Sequence, residues 1–77
     1  MDIRNLIKMA NQIGGFFSTY PDKAEASNEI ASHLEKFWTP RMRMQLIEYV
    51  DNSDGDGLKD MVTASIKLYR HKLKPKN

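Results

Sequence analysis

Apolar residues in the first half of the chain recur at intervals of three and four, which is the spacing of one face of an α-helix. This pattern predicts a first helix over about residues 3–18, ended by Tyr20-Pro21 because a residue before proline disfavours the helical conformation. A second helix is predicted over about residues 22–37, since Asp22 and Glu25 have the form of a capping box. The apolar stripes of the two helices are Ile3, Leu6, Ile7, Ala10, Ile13 and Phe17, then Ala26, Ile30, Ala31, Leu34, Phe37 and Trp38.

The second half of the chain predicts two more helices around a polar loop. Thr39 can cap a third helix over about residues 40–51, with Pro40 in its first position. Residues 51–57 contain no apolar residue and are rich in turn formers, so they predict a loop. A fourth helix follows over about residues 58–73, and residues 74–77 form a basic tail. With no strand-like alternation, the prediction for residues 1–77 is one all-α domain, a small bundle of three to four short helices.

Composition narrows the chemistry that this chain can perform. It has 77 residues and no cysteine, which excludes a disulfide, a thiolate metal site and a cysteine nucleophile, and fits a reducing compartment. No apolar run approaches the roughly 18 residues that a membrane span requires. We therefore expect a soluble cytoplasmic protein that has no membrane partner.

The net charge of +2 hides two halves of opposite sign. Residues 1–57 carry six basic and nine acidic residues, whereas residues 58–77 carry six basic residues and Asp60 alone. This asymmetry favours either pairing within the molecule or an interaction tail. A small nucleic-acid-binding helical domain acting through the basic C-terminal tail is the alternative function, although the basic segment from Lys67 onwards has one tyrosine and no nucleic-acid motif.

Three further features have a functional and a structural interpretation. The run Asn52-x-Asp54-x-Asp56-Gly57 matches half of a calcium-binding EF-hand loop, but Thr63 stands where the closing glutamate belongs. It therefore predicts a solvated turn in which Asp56 or Gly57 caps the fourth helix. His33 and His71 lack metal-ligand spacing, so neither a catalytic nor a metal site is predicted. Gly14-Gly15 predicts a helix end, with close packing of a neighbouring helix as the alternative.

Residues 37–44 combine aromatic, arginine and methionine side chains, which are enriched at protein interfaces. Arg41 and Arg43 also lie in the first turn of the third helix, where the helix dipole disfavours cations. One interpretation is that this segment contacts a partner. The other is that Phe37 and Trp38 close the end of the bundle while the arginines pair with Glu35 or Glu48.

Two blocks of this sequence resemble a known family. Met9-Ala10-Asn11-Gln12-Ile13 and Phe37-Trp38-x-Pro40-Arg41-Met42-Arg43, within a similarity over about residues 3–70, resemble the delta subunit of bacterial NAD-dependent formate dehydrogenase. The resemblance implies a non-catalytic accessory subunit of a cytosolic enzyme that oxidises formate and reduces NAD. Molybdopterin, iron–sulfur clusters, flavin and NAD are then expected in the partner subunits, with no cofactor in this chain. The implied role is to bind the large catalytic subunit and support assembly or stability of the cofactor-loaded complex.

The family motif also implies a set of partner-binding residues. They are Asn11, Gln12, Phe37, Trp38, Pro40, Arg41 and Arg43. These residues are expected to build the partner-facing surface or to hold its shape. Asn11 and Gln12 lie off the apolar stripe, where exposed amides could form hydrogen bonds across an interface. Self-association of the isolated chain stays open, because a small core with spare aromatic residues is compatible with a homodimer.

Overall fold

The computed structural model describes residues 2–75, which fold into five helices with no strand among them. The helices are α1 (Ile3–Phe17), α2 (Lys23–Phe37), α3 (Pro40–Ser53), α4 (Asp60–Leu68) and α5 (Arg70–Leu73). The prediction of a small all-α fold is confirmed. The domain was predicted over residues 1–77 and the tail over residues 74–77. Of these, residues 1, 76 and 77 lie outside the described residues. Within the described range, no helix is both long enough and apolar enough to cross a membrane.

The first three helices begin where local capping chemistry places them. The Asp22 carboxylate accepts hydrogen bonds from the backbone N–H groups of Ala24 (2.9 Å) and Glu25 (3.3 Å). The Thr39 hydroxyl accepts one from Met42 N–H (3.2 Å), and Pro40 occupies the first turn. Each cap satisfies a backbone donor that the helix itself leaves without a partner.

Helix α3 continues two residues beyond its predicted end at residue 51. The Ser53 hydroxyl donates to the Tyr49 carbonyl (2.7 Å), so this turn former adds a bond to the last helical turn. The helix ends only at Asp54, which adopts a left-handed conformation with φ of 58°. Asp54 N–H still bonds to the Val50 carbonyl at 2.8 Å.

The predicted fourth helix over residues 58–73 is wrong at its start and in its continuity. It starts at Asp60, after Lys59, and neither Asp56 nor Gly57 caps it. It is then divided at Tyr69, whose backbone (φ −109°, ψ 26°) leaves the helical region. Apolar spacing could not reveal this break, because Tyr69 and Leu73 keep the helical interval and Leu73 still reaches the core.

Helix α2 packs against α1, α4 and α5, and α3 packs against α1, α4 and α5. Their inward faces form one core of buried side chains: Leu6, Ala10, Ile30, Ala31, Leu34, Trp38, Leu46, Ile47, Val50, Leu58, Val62, Ile66 and Leu73.

The prediction that Gly14-Gly15 ends a helix is wrong, since α1 continues to Phe17. Gly14 is instead buried against α4, where an added Cβ would lie 2.5 Å from Val62 Cγ2. The alternative of close helix packing therefore applies at Gly14.

Candidate functional site

The seven residues predicted to bind a partner occupy three different settings in the fold. Trp38 is in the core and Asn11 is tied to the loop before α4. Gln12, Phe37, Pro40 and Arg41 are exposed, and Arg43 is half-buried.

Ring-bearing side chains of α1, α2 and the turn between them form what we call the aromatic surface: Phe16, Phe17, Tyr20, His33 and Phe37. The ring centroids of Phe16 and Phe17 are 5.0 Å apart, and those of Phe17 and Tyr20 are 5.4 Å apart, both in edge-on geometry. His33 bridges to α2, with its ring 6.2 Å from Phe17 and 4.7 Å from Phe37. These contacts hold the rings against one another within the chain.

The aromatic surface borders an open groove of about 270 Å³. Its lining is Gln12, Ile13, Phe16, Phe17 and His33. Phe16 is 67% exposed and Phe37 is 71% exposed, so two large apolar side chains remain in contact with water beside the groove. Adjacent exposed aromatic residues next to a groove are typical of a protein interaction site.

Gln12 and Phe37 are the two predicted residues that the structure places at the aromatic surface and its groove. Phe16 and His33 were not among the predicted partner-binding residues. A signal for Phe16 existed in the sequence, because it lies outside the apolar stripe that contains Phe17. His33 offered no comparable signal, since its role depends on the contact between α1 and α2.

Trp38 and Asn11 hold shape within the chain. Trp38 is only 5% exposed and ends α2 with a backbone bond to the Leu34 carbonyl (3.0 Å). The Asn11 amide donates to the Gly57 carbonyl and its oxygen accepts from Lys59 N–H, both at 2.9 Å. The Asn11 side chain therefore already has partners in the chain, in contrast to the expectation of an exposed amide available for hydrogen bonds across an interface.

The start of α3 contributes to a second concave feature, which we call the basic cleft. Its lining is Glu35, Arg43, Lys72 and Lys74, and its volume is about 300 Å³. Arg43 Nε is buried and makes no hydrogen bond within residues 2–75. Within residues 2–75 no ion pair joins Arg41 or Arg43 to Glu35 or Glu48, so the predicted alternative of local pairing is not found.

Residues 51–57, which we call the acidic loop and of which the first three belong to the end of α3, form ion pairs with the basic C-terminal segment. Asp54 forms an ion pair with Lys67, and Asp51 forms a bidentate pair with Arg70 whose longer bond is 2.7 Å. The hydrogen bonds from Arg70 lower the pKa of the Asp51 carboxyl below its ordinary value. Two cations of the predicted nucleic-acid tail are thus paired, which leaves less positive charge for phosphate than the sequence indicates.

The half EF-hand pattern does not adopt the geometry of a calcium loop. Asn52 lies inside α3, and Asp54 is paired with Lys67. Over the part of the chain that the structure describes, no three carboxylate or histidine side chains converge as metal ligands would. The loop is instead an ordered turn, in which Tyr49 OH donates to the Asp56 carbonyl at 2.6 Å.

Comparison with known proteins gives a family for most of the chain. The model of the NADH-dependent formate dehydrogenase delta subunit FdsD matches residues 5–66. Searches of curated proteins and of solved structures gave no significant match. The matched range includes most of α1, all of α2 and α3, the acidic loop and most of α4, and it leaves out α5.

Proposed function

Because the chain belongs to the family of NADH-dependent formate dehydrogenase delta subunits, we propose that it is a non-catalytic accessory subunit that binds the large catalytic subunit. In this proposal it supports assembly or stability of the cofactor-loaded complex in the cytoplasm. The observation that carries the proposal is the aromatic surface, where Phe16 and Phe37 are exposed beside a groove. A subunit without a partner would gain nothing from keeping these rings in water.

The energetics of the aromatic surface suit an interface. Fully burying a phenylalanine side chain contributes roughly 1.5–3 kcal/mol, and every 1.4 kcal/mol or so changes affinity about tenfold. The rings of Phe17, Tyr20 and His33 are already in mutual contact, so binding orders few additional side chains. A preorganised apolar patch of this kind loses less conformational entropy on association than a flexible one.

In this proposal the cofactors of the complex belong to its other subunits. This chain has no cysteine to ligate an iron–sulfur cluster, and residues 2–75 contain no cluster of three metal-ligating side chains. The absence of cysteine supports this proposal for the iron–sulfur clusters, whose ligands are cysteine thiolates. Molybdopterin, flavin and NAD are likewise proposed to be held by the partner subunits, and no catalytic step is derived from this chain.

The test is co-purification of tagged chain and large catalytic subunit from cells that express both. We expect Phe16→Ser combined with Phe37→Ser to weaken association by about tenfold or more, because both rings leave the interface. Formate-dependent NAD reduction in the eluate reports whether the recovered complex is active. Far-UV circular dichroism should remain unchanged, since both side chains are exposed in the isolated chain.

Leu68→Ser is the matched control. Leu68 is 63% exposed, and it lies on α4 outside the aromatic surface. The same loss of an exposed large apolar side chain should leave association unchanged at this position. Undiminished recovery of the large subunit by the double phenylalanine variant would contradict the proposed binding surface. Failure of the unaltered chain to recover any large subunit would contradict the proposed function itself.

A further inference from the structure

The basic cleft is lined by residues of α2, of α3 and of the end of α5, and none of these residues belongs to the aromatic surface. Glu35 comes from α2, Arg43 from α3, Lys72 from α5, and Lys74 follows α5 directly. The cleft is therefore assembled from segments far apart in sequence. Lys72 and Lys74 lie beyond the range matched by the family, so part of the cleft's charge comes from outside that range.

Basic side chains outnumber acidic ones in the lining of the cleft. Three cations face one carboxylate, and the nearest ionic contact is 3.9 Å between Lys72 Nζ and Glu35 Oε1. Lys72 also donates to the Ser32 hydroxyl at 3.3 Å, and its Nζ lies 5.8 Å from the centre of the Tyr69 ring. Glu35 is thus engaged with Lys72, and among the described residues no carboxylate forms an ion pair with Arg43 or Lys74. The charge of Lys74 does act on Asp51, whose pKa is lowered chiefly by Arg70 and to a smaller extent by Lys74.

Arg43 carries the strongest indication of a missing partner. Its Nε is buried without a hydrogen bond among the described residues. This lowers stability, because the N–H group loses its hydrogen bond to water on folding and forms no new one. Buried polar atoms in native proteins nearly always have a partner, so one without a partner requires an explanation. The planar guanidinium presents donors in a fork that matches the two oxygens of a carboxylate.

We propose that the basic cleft docks a carboxylate side chain from an acidic segment of a protein partner. Charge complementarity favours this occupant, since the cleft has an excess of cations that a carboxylate would neutralise. Its volume of about 300 Å³ accommodates one or two side chains. A nucleic-acid strand would require a longer basic track with exposed rings for base stacking, whereas here Glu35 interrupts the positive charge. The inference stands independently of the aromatic surface and of which protein supplies the segment.

The test is a nuclear magnetic resonance titration of the isotope-labelled full chain with a blocked tetraglutamate peptide at low ionic strength. We expect saturable shifts at the backbone amides of Glu35, Arg43, Lys72 and Lys74, and none with blocked tetraglutamine. Arg43→Lys keeps the charge but removes the fork, and Lys74→Gln removes one charge at an exposed position. Each variant should weaken binding by about two- to fivefold, as expected for the loss of one partly exposed ionic contact.

Lys8→Gln is the matched control, because it removes the same charge from an exposed position of α1 outside the cleft. It should leave the affinity for tetraglutamate unchanged. Equal weakening by Lys8→Gln and Lys74→Gln would show general electrostatic attraction and overturn the proposal, as would the absence of saturable shifts. Tighter binding of inorganic phosphate or of a single-stranded oligonucleotide at the same amides would also overturn it. If Arg43→Lys fails to fold, the affinities of Lys74→Gln and Lys8→Gln for tetraglutamate are compared instead, and only the first should be weakened.

Discussion

Asn11 fixes the loop before α4 from a position on α1. One amide group donates to the Gly57 carbonyl and accepts from Lys59 N–H, so it satisfies two backbone groups 46 and 48 residues away. The first of these groups is in a turn where Gly57 has a φ of 83°, and the second directly precedes α4. Lys59 provides no side-chain cap for α4. Asn11 therefore positions the start of α4 in place of a local cap.

Replacing Asn11 with alanine tests this role. We expect Asn11→Ala to lower the free energy of unfolding by about 1–2 kcal/mol, since each lost hydrogen bond contributes roughly 0.5–1.5 kcal/mol and water can partly replace it. Urea unfolding followed by circular dichroism measures the change. Gln12→Ala is the control, because Gln12 is exposed on the same helix and should change stability by no more than about 0.5 kcal/mol. Equal effects of the two substitutions would contradict the specific role of Asn11.

At the scale of helices, the contact between α1 and α4 depends on the absence of a side chain at Gly14. A Cβ there would lie 2.5 Å from Val62 Cγ2, which is closer than two carbon atoms can approach. Val62 is fully buried and β-branched, so it has little freedom to move aside. Gly15, the next residue, has only Lys59 Cε within contact range, at 3.9 Å.

These two glycines make a matched pair for substitution by alanine. Alanine is favoured over glycine inside a helix by about 1 kcal/mol, so Gly15→Ala should raise the free energy of unfolding by up to that amount. Gly14→Ala should lower it by about 1–2 kcal/mol, because overpacking against Val62 costs more than the helix gains. Thermal unfolding of both variants provides the comparison. Stabilisation by Gly14→Ala would show that α1 and α4 can separate without cost.

Across the whole molecule, the features that can be predicted from the sequence are those that neighbouring residues determine. The caps at Asp22 and Thr39 use neighbouring residues, and the structure has helices starting after both. The break at Tyr69 leaves the apolar spacing intact, so no local pattern reveals it. The candidate site was predicted only in part for the same reason. Phe37 was identified from its motif, but its contact with His33 and the basic cleft depend on how the helices pack.

The opposite charges of the two halves of the sequence meet in the folded molecule. Asp51 at the end of α3 binds Arg70 at the start of α5, and Asp54 binds Lys67 of α4. All four side chains are substantially exposed, so each pair is screened by salt and contributes modestly. Their combined effect is to connect the acidic loop to the helices on either side of Tyr69. The charge asymmetry of the sequence is thus explained in part by pairing within the molecule.

The pair of Asp51 and Arg70 makes the stability of the chain depend on pH in a defined direction. Hydrogen bonds from Arg70 lower the pKa of Asp51 in the folded state. The pair therefore stabilises the fold at pH values above the pKa that Asp51 has in the unfolded chain, and this stabilisation is lost as the pH falls through the lowered pKa of the folded state. Asp51→Asn should therefore lower the melting temperature near neutral pH, and the difference from the unaltered chain should vanish in strong acid. The pKa of Asp2 is also lowered, by Arg4, but it titrates equally in both proteins and cancels. Asp56→Asn is the control, because it removes the same charge without breaking either ion pair. If Asp51→Asn changed the melting temperature by the same amount as Asp56→Asn at every pH, the role assigned to the pair of Asp51 and Arg70 would be refuted.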